Sequence, residues 1–406
     1  MSDERIKILI LGNGFDLAHN LPTRYSDFMS FCEKIGKNYS LSLGFSDEER
    51  NKRLADIFSK WEFPHEEIKS NLLESLKDLR VNNLSERGAE QIPIEEFYNC
   101  IKDNVWYDYF KEIIKAKAIR GQNWIDFESE IRHIIKTIDE RFDNLEELYG
   151  YGDFSGFEYK LKTFAHSFFT IVMPKKTGKT RCSIKTLREI CFNDLEDLTR
   201  ALEIYLANYI EKIECKKIDV ISEIKPNFVI NFNYTNTYER VYGGKNVFHI
   251  HGVCKGNGSL EENNMVLGID EYWSDGKEDS QVHFAIFKKF VQRIRKKTGI
   301  ENLKYIGKIE SNFISNGRLY SGDRKPGKDY SDGTTFVYVF GHSLDITDKD
   351  VLADFFNSKA TAVTVYCKDK GAEGELIENV IRLIGQNTLL LKANTYPSMM
   401  EFVVQK

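Results

Sequence analysis

Four short apolar runs each end abruptly in small or polar residues, and this pattern constrains the fold more than any other feature of the chain. The polar segments that follow the runs are residues 12–16, 231–236, 251–252 and 341–345. The strands of a buried parallel sheet read as continuous apolar runs, and ligands bind just beyond the carboxyl ends of such strands. The sequence therefore predicts an α/β fold with a Rossmann-like, mostly parallel sheet and a site at these four strand ends.

Between the first two runs the pattern changes from strand-like to helical. Apolar positions recur every three or four residues from 127 to 148, as on one face of an amphipathic helix. From 191 to 209 they follow a heptad-like spacing that suits packing against another long helix. This spacing favours a helical bundle within the chain, with a dimerisation surface and a homo-oligomer as the alternative. We expect a Rossmann-like core of residues 1–32 plus 218–406, interrupted by a large α-helical insertion at 33–217.

The remaining elements of the core follow from shorter patterns. A basic amphipathic helix is expected at 284–295, and alternation of strands and helices is typical of a parallel sheet covered on both faces. Strands are predicted at 6–12, 218–220, 228–233, 247–251, 336–340, 362–367 and 388–392, and helices at 351–356 and 376–385.

Composition and charge exclude several classes of function. The net charge of −5 over 406 residues gives no indication of nucleic-acid binding, which favours a basic balance. The charged start is unlike a signal peptide, and no apolar run approaches the roughly 18 residues that span a bilayer. Seven dispersed cysteines without a paired spacing are typical of reduced thiols. We therefore predict a cytoplasmic protein with no membrane partner.

The first strand exit carries the residues of a phosphate-binding turn. Gly12 and Gly14 allow a tight turn in which backbone N–H groups approach a phosphate at the start of a helix. Leu17 stands where the dinucleotide fingerprint has a third glycine, so an ordinary dehydrogenase is not expected. Asp16 suits either a helix cap or ribose hydroxyls, and a purely structural turn is the alternative.

The second and third exits carry an amide and an imidazole. Asn233 can orient a water molecule or a ribose hydroxyl, with a strand-end Asx-turn as the alternative. His249 and His251 are two residues apart on a predicted strand and should share a face. His251 can act as a general base near neutral pH, whereas His249 also suits a hydrogen-bonded core position. Cys254 invites comparison with a zinc site, but the ligand spacing is missing and no metal is predicted.

The fourth exit offers a second turn of small residues. Gly341 and Ser343 can hold a phosphate or a ribose through backbone and hydroxyl groups. The alternative is a plain loop followed by a capping box at Thr347 and Asp350.

Taken together, these motifs resemble the abortive-infection AbiH family of bacterial phage-defence proteins, over nearly the whole chain. The resemblance rests on residues 8–17, on Leu21-Pro22-Thr23 with 25–28, on Trp124 with Asp126 and Glu128, and on 231–235, 249–252 and 341–344.

AbiH proteins are in turn similar to the sirtuin-like NAD-binding superfamily, whose defence members hydrolyse NAD. The resemblance implies that Asn233 holds the ribose and the attacking water, and that His251 activates a ribose hydroxyl or that water. It implies that Gly341 and Ser343 hold the adenosine side. The full set of residues expected to bind NAD is Gly12, Asn13, Gly14, Phe15, Asp16, Tyr234, Thr235, Gly252, Gly341, His342, Ser343 and Asp345.

The chain also departs from the sirtuin pattern. Thr235 stands where sirtuins have an aspartate. Because that aspartate is the residue associated with recognition of the nicotinamide amide, the resemblance does not extend to this recognition. The zinc module that follows the His-Gly of deacylating sirtuins is missing, so deacylation of lysine is not expected. Trp124, Asp126 and Glu128 start a predicted helix of the insertion, either as a lid or as an ordinary helix start.

The resemblance implies an NAD glycohydrolase that responds to a phage-derived trigger, which the sequence does not identify. The alternative is a non-catalytic sensor that binds NAD or an ADP-ribose-type nucleotide and signals through the helical insertion.

Overall fold

The computed structural model of the protein describes residues 5–43, 46–77, 93–119, 125–142, 147–149, 181–256, 258–269, 284–299, 307–309, 311 and 334–405. The strands are β1 (Lys7–Leu11), β2 (Glu147–Tyr149), β3 (Arg181–Ser183), β4 (Phe228–Asn231), β5 (Val247–His249), β6 (Thr335–Phe340), β7 (Thr361–Cys367) and β8 (Met400–Val404). The α-helices are α1 (Asn13–Ala18), α2 (Tyr25–Leu43), α3 (Asp47–Ser59), α4 (Glu66–Lys77), α5 (Pro93–Ile101), α6 (Val105–Ile119), α7 (Phe127–Phe142), α8 (Ile184–Tyr205), α9 (Asp219–Ile224), α10 (Thr237–Tyr242), α11 (Lys289–Lys296), α12 (Lys349–Asn357), α13 (Lys370–Ile384) and α14 (Gln386–Asn394).

The chain forms two compact units, each built from separate stretches of sequence. The sheet unit comprises Met1–Leu21, Cys215–Val253 and Lys297–Lys406. The helical unit comprises Pro22–Glu214 and Cys254–Lys296.

The sheet unit contains a six-stranded sheet in which every pair of neighbouring strands is parallel. The strand order is β5-β4-β1-β6-β7-β8. Counted along the sheet's own six strands, this is the 3-2-1-4-5-6 order of the doubly wound Rossmann fold, in which the order reverses between β1 and β6. The predicted α/β fold with a parallel Rossmann-like sheet is confirmed.

Two apolar clusters cover the two faces of this sheet. Ile8 and Ile10 of β1 pack with residues of α12 and α13 on one face. Leu9 and Leu11 pack with Phe15 and residues of α9 on the other. Successive side chains of a strand point to opposite faces, so β1 is buried on both sides, which is why it reads as an uninterrupted apolar run.

The four predicted strand exits lie in one row across the sheet. Leu11 is in register with Asn231 on one side and with Phe340 on the other. Asn231 is in register with His249 of β5. The polar segments after these four residues therefore leave the sheet at the same edge.

Two of the predicted strands end two residues earlier than expected. β4 ends at Asn231, because the Asn231 side chain accepts a hydrogen bond from the backbone N–H of Asn233 and turns the chain away from the ladder. β5 ends at His249, and the chain turns before Gly252, whose φ is +81°.

Two predicted strands are wrong, because both segments are helical. Residues 218–220 lie at the start of α9, which buries Ile221 and Ile224 on the sheet. Residues 388–392 lie in α14, and the last strand is instead β8. Short apolar runs do not distinguish a strand from a helix by periodicity.

The heptad-like positions lie on α8 and, for Tyr209, on the π-helical turn Leu206–Ile210 that follows it, inside the helical unit. Cys191, Leu195, Leu198 and Leu202 are all buried there. The indole Nε1 of Trp106 on α6 donates to the Cys191 carbonyl oxygen at 2.7 Å. These positions therefore pack against other helices of the same chain, and the homo-oligomer stays a prediction.

Residues 254–296 lie in the helical unit, whereas the predicted boundaries assigned them to the core. The backbone N–H of Lys255 donates to Glu203 of α8 at 3.1 Å, and the Lys289 ammonium lies 2.7 Å from Glu128 of α7. Because the polar groups of this segment find their partners on helices, it belongs with them.

The predicted basic helix at 284–295 is present as a 3-10 turn, Ala285–Phe287, followed by α11. Its apolar and basic faces are inverted relative to an ordinary surface helix, since Lys289 and Arg293 are buried while Phe290 and Ile294 are exposed. No helix among the described residues is long and apolar enough to cross a bilayer.

Candidate functional site

The loops after β1 and β6 touch each other through their backbones at the point where the strand order reverses. The N–H of Gly14 donates to the Gly341 carbonyl oxygen at 2.7 Å, and the N–H of Gly12 donates to Phe340 at 3.2 Å. A Cβ on Gly12 would lie 2.5 Å from the Cα of His342, and one on Gly14 would lie 2.7 Å from the Cα of Gly341. Only glycine permits this approach, so a contact between the two loops accounts for both glycines.

Asp16 does not cap the helix that follows. The N-cap of α1 is Gly12, and Asp16 lies in the first turn, where it is buried. Its Oδ2 accepts a hydrogen bond from the Thr235 hydroxyl at 2.7 Å, and Thr235 in turn accepts from the Thr237 hydroxyl at 3.0 Å. Asp16 therefore joins the loop after β1 to the loop after β4.

Phe15 belongs to the core of the sheet unit. Its ring is fully buried and packs against the rings of His19, Tyr238 and Phe340 at centroid distances of 4.5, 6.2 and 6.3 Å. Asn13, the residue between the two glycines, is exposed.

Asn231 organises the loop that carries Asn233. Its Oδ1 accepts from the backbone N–H of Asn233 at 3.0 Å, and its Nδ2 donates to the Thr235 carbonyl oxygen at 3.4 Å. The predicted Asx-turn is therefore made by Asn231. The side chain of Asn233 is buried and donates through Nδ2 to the Gly12 carbonyl oxygen at 3.0 Å.

His249 and His251 do not share a face, contrary to the prediction. Nδ1 of His249 is 3.0 Å from the Asn233 carbonyl oxygen and Nε2 is 2.8 Å from Glu239 of α10, so the ring joins β5 to a neighbouring helix. His251 lies beyond the end of β5, and the turn sends it to Asp348 instead. The alternative interpretation of His249 as a hydrogen-bonded core residue fits its contacts.

Asp348 links two histidines from different strand exits. Its Oδ1 lies 3.2 Å from Nε2 of His251, and its Oδ2 lies 3.6 Å from Nε2 of His342. All three side chains are buried. Phe232 packs edge-on against both imidazoles, at centroid distances of 5.4 Å from His251 and 4.3 Å from His342.

The tautomer of His342 follows from its backbone contact. The N–H of Leu344 donates to Nδ1 of His342 at 2.9 Å, so Nδ1 carries no hydrogen and the neutral ring has its hydrogen on Nε2. Leu344 reaches this position with a φ of +57°, a conformation that costs about 1–2 kcal/mol for a residue other than glycine. Strain of this kind concentrates at functional sites.

The sequence missed Asp348 because the segment before α12 looked like a capping motif. The predicted capping box of Thr347 and Asp350 is wrong. Asp345 instead caps the 3-10 turn Ile346–Asp348 that precedes α12, and its Oδ1 accepts from the N–H of Thr347 at 3.0 Å. Asp348 is the N-cap residue of α12, and an aspartate at a helix start was the available signal.

The other predicted site residues lie around this centre. Ser343 is exposed, and its carbonyl oxygen accepts from Asn379 of α13 at 2.9 Å. Tyr234 is half-buried, with its ring centroid 6.5 Å from that of His251. Gly252 occupies the turn just after His251.

Of the three residues predicted to form a lid or a helix start, Trp124 lies outside the described residues. Asp126 caps α7, because it accepts from the backbone N–H of Glu128 at 3.1 Å and from the Ser129 hydroxyl at 2.6 Å. Glu128 pairs with Lys289. Both described residues therefore act within the helical unit, as in the helix-start alternative.

The described part of the chain contains no group of three or more His, Cys, Asp or Glu side chains arranged to hold a metal ion.

A family model described as bacteriophage abortive infection AbiH matches residues 8–367 of the chain. The matched range includes every predicted site residue and also Asp348. A search of curated proteins and a search of solved structures each find no match. The family match assigns the chain a role in bacteriophage abortive infection.

Proposed function

The chain belongs to the AbiH family of bacteriophage abortive infection proteins, and from this premise we propose that it acts by hydrolysing NAD at the nicotinamide–ribose bond. The observation that carries the proposal is the buried pair of His251 and Asp348, 3.2 Å apart, at the carboxyl edge of a doubly wound sheet. A histidine beside a carboxylate is a general base near neutral pH, and dinucleotides bind at this edge of such sheets.

The reaction needs little more than a positioned water and a mild base. The C–N bond to nicotinamide breaks with its electron pair leaving on the base, which departs as a neutral molecule. A C–O bond forms from water to the ribose carbon, which gives ADP-ribose and releases one proton. His251 accepts that proton, either from the water or from a ribose hydroxyl that assists it.

Asn233 fits the role of orienting the ribose or the water. Its Nδ2 is held by the Gly12 carbonyl oxygen, which fixes the amide plane and directs Oδ1 as an acceptor. Because this contact joins the loops after β1 and β4, the amide is fixed before any substrate binds. Preorganised groups of this kind reduce the cost of reaching the transition state.

The residues of the two glycine loops fit the dinucleotide. Asn13 and Ser343 are exposed on the loops that meet where the strand order reverses. These exposed residues are where we expect the adenosine and phosphate portions of NAD to bind.

A second candidate function is a sensor that binds NAD or an ADP-ribose-type nucleotide without turnover. The observation that favours it is the Gly14–Gly341 hydrogen bond, which ties the two loops into a fixed frame. A fixed frame suits recognition, whether or not a reaction follows.

The experiment that tests the proposal measures nicotinamide release from NAD by the purified protein, alone and with a lysate of phage-infected cells. We expect release that His251→Gln and Asn233→Ala reduce at least about 100-fold, the usual contribution of a general base. His133→Gln is the matched control, because His133 is exposed on α7 and belongs to the helical unit. NAD binding without release in either condition would favour the sensor, and neither binding nor release would refute the nucleotide site.

A further inference from the structure

Asp348 occupies a helix-capping position without capping the helix. It is the N-cap residue of α12, with a φ of −112°, yet its side chain makes no capping hydrogen bond. Aspartate is among the best N-cap residues, and an N-cap is worth about 0.5–2 kcal/mol. The carboxylate is instead buried between His251 and His342. A local rule broken in this way, at a cost in stability, is typical of a functional position.

The segment before α12 holds Asp348 in this orientation. Asp345 caps the 3-10 turn Ile346–Asp348, and the N–H of Asp348 donates to the Asp345 carbonyl oxygen at 3.3 Å. This bond fixes the backbone of Asp348, and the carboxylate lies 3.2 Å from His251 and 3.6 Å from His342.

His342 is the second histidine near the carboxylate, on the side of Oδ2. Because Leu344 donates to Nδ1 of His342, the hydrogen of this neutral ring is on Nε2, which lies 3.6 Å from Oδ2 of Asp348, farther than a hydrogen bond reaches. Oδ1 is then the oxygen that faces His251. The strained backbone of Leu344 is what places its N–H on His342.

We propose that Asp348 is a positioning residue: its carboxylate, 3.2 Å from Nε2 of His251, electrostatically favours the tautomer with the hydrogen on Nε2 and so makes Nδ1 the nitrogen that accepts a proton. This inference rests on the proposed function. When Nδ1 takes the proton from water or a ribose hydroxyl, the imidazolium is stabilised by the adjacent carboxylate. The proton passes to solvent when the products leave.

The test uses the full chain labelled with ¹⁵N at histidine, in wild-type, Asp348→Asn and Asp350→Asn forms. Nitrogen chemical shifts report which imidazole nitrogen carries the hydrogen, and the signals of His251 and His342 are assigned with His251→Gln and His342→Gln. Asp350→Asn is the matched control, since Asp350 is exposed two residues further along α12.

In the wild type and in Asp350→Asn we expect the hydrogen of His251 on Nε2. In Asp348→Asn we expect a mixture of tautomers and a fall in kcat for nicotinamide release of at least about 100-fold, with KM changed much less. Asp348→Glu, which keeps the charge, should recover part of the loss. The partial recovery in Asp348→Glu would show that the loss in Asp348→Asn is not caused by unfolding. Thermal unfolding of each variant checks this directly.

The two proposals fail in different ways. If the wild type released no nicotinamide but the tautomer of His251 still depended on Asp348, hydrolysis would be refuted and the positioning of His251 would stand. If His251 carried its hydrogen on Nδ1 in the wild type, the positioning role would be refuted. An unchanged tautomer or an unchanged kcat in folded Asp348→Asn would refute it equally.

Discussion

The side chain of Asn233 donates a hydrogen bond to the backbone carbonyl of Gly12, across 3.0 Å and 221 residues of sequence. This bond joins the segment after β1 to the segment after β4, which are far apart in the sequence. It also means that the amide of Asn233 supports the loop architecture, whatever it does to a substrate.

Replacing Asn233 with aspartate removes the donor and places a carboxylate oxygen against a carbonyl oxygen. We expect the free energy of unfolding to fall by about 1–3 kcal/mol, the cost of leaving buried polar groups unpaired. Urea denaturation followed by circular dichroism measures the loss. Asn246→Asp is the matched control, because Asn246 makes the same kind of bond to the Asn227 carbonyl at 3.0 Å on the surface, where we expect a change within about 0.5 kcal/mol. Equal losses in the two variants would contradict the structural role of Asn233.

Gly12→Ala introduces a methyl group 2.5 Å from the Cα of His342. The two loops must then separate, and we expect a loss of about 1–3 kcal/mol together with loss of nicotinamide release. Gly374→Ala is the contrasting variant, since Gly374 lies in α13 with no atom within 4 Å of the added methyl. It should stabilise the protein by about 0.5–1 kcal/mol. A neutral Gly12→Ala would show that the loops do not touch as described.

Lys392 gives the stability of the sheet unit a dependence on pH. Burial lowers the pKa of its ammonium to about 8, although the group donates to the carbonyl oxygens of Phe356 and Ser358 at 2.8 Å and to the Thr361 hydroxyl at 3.2 Å. Between pH 8 and 10.5 the unfolded chain binds more protons at this lysine than the folded chain does. The contribution of Lys392 to stability therefore rises with pH across that window, by at most about 3 kcal/mol.

The measurement is the difference in unfolding free energy between the wild type and Lys392→Met, at several pH values from 7 to 10.5. Buried thiols such as Cys32 also affect stability in this range, because burial raises the pKa of the Cys32 thiol. Their effect is common to both proteins and cancels in the difference. A difference that stays constant with pH would contradict the lowered pKa of Lys392.

Arg200 is the centre of a buried ionic cluster in the helical unit. Its guanidinium lies 2.8 Å from Glu96 and 2.6 Å from Glu203, and it also donates to the carbonyl of Gly258. The side chain of Glu203 is fully buried and that of Arg200 is only 3% exposed. Arg200→Met would leave two carboxylates without their cation, and we expect a loss of about 3–5 kcal/mol in thermal or urea unfolding.

Arg53→Met is the comparison for this prediction. Arg53 pairs with Glu49 at 2.7 Å on the surface of α3, with both side chains about half exposed. Exposed pairs within a helix are worth about 0.3–0.5 kcal/mol. If both substitutions lowered the free energy of unfolding by the same amount, the cluster around Arg200 would stabilise the protein no more than a surface ion pair does.

The sequence predicted the sheet and the row of strand exits because both depend on local patterns. A strand buried on two faces must be apolar throughout, as β1 is, and the residues that end it must be polar or small. The same reasoning failed where a local pattern has two physical solutions. The leucines at 389–391 are as apolar as a strand, but only Leu389 is buried, on one side of α14.

The candidate site was harder to predict, because side-chain contacts change where the chain points. Asn231 was treated as part of a strand, yet its side chain ends that strand and shapes the loop of Asn233. His251 was expected beside His249 on one face, but the strand ends first and the turn sends His251 elsewhere. The role of Asp348 could not be predicted, because its contacts are with two histidines from distant loops and its own segment carries no sign of them.

The order of the strands also governs when this protein can assemble its site during synthesis. β1 leaves the ribosome first, but its neighbours are β4 and β6, so its edges must wait for residues 228–231 and 335–340. Synthesis proceeds at about 5–20 residues per second, so the first strand waits roughly 20–70 s for β6. Until Asp348 has emerged, the nascent chain holds the histidine of the third exit without its carboxylate. If Asp348 has the proposed role, we expect ribosome-bound or truncated chains that end before residue 348 to release no nicotinamide, even when the helices of residues 22–214 have already formed.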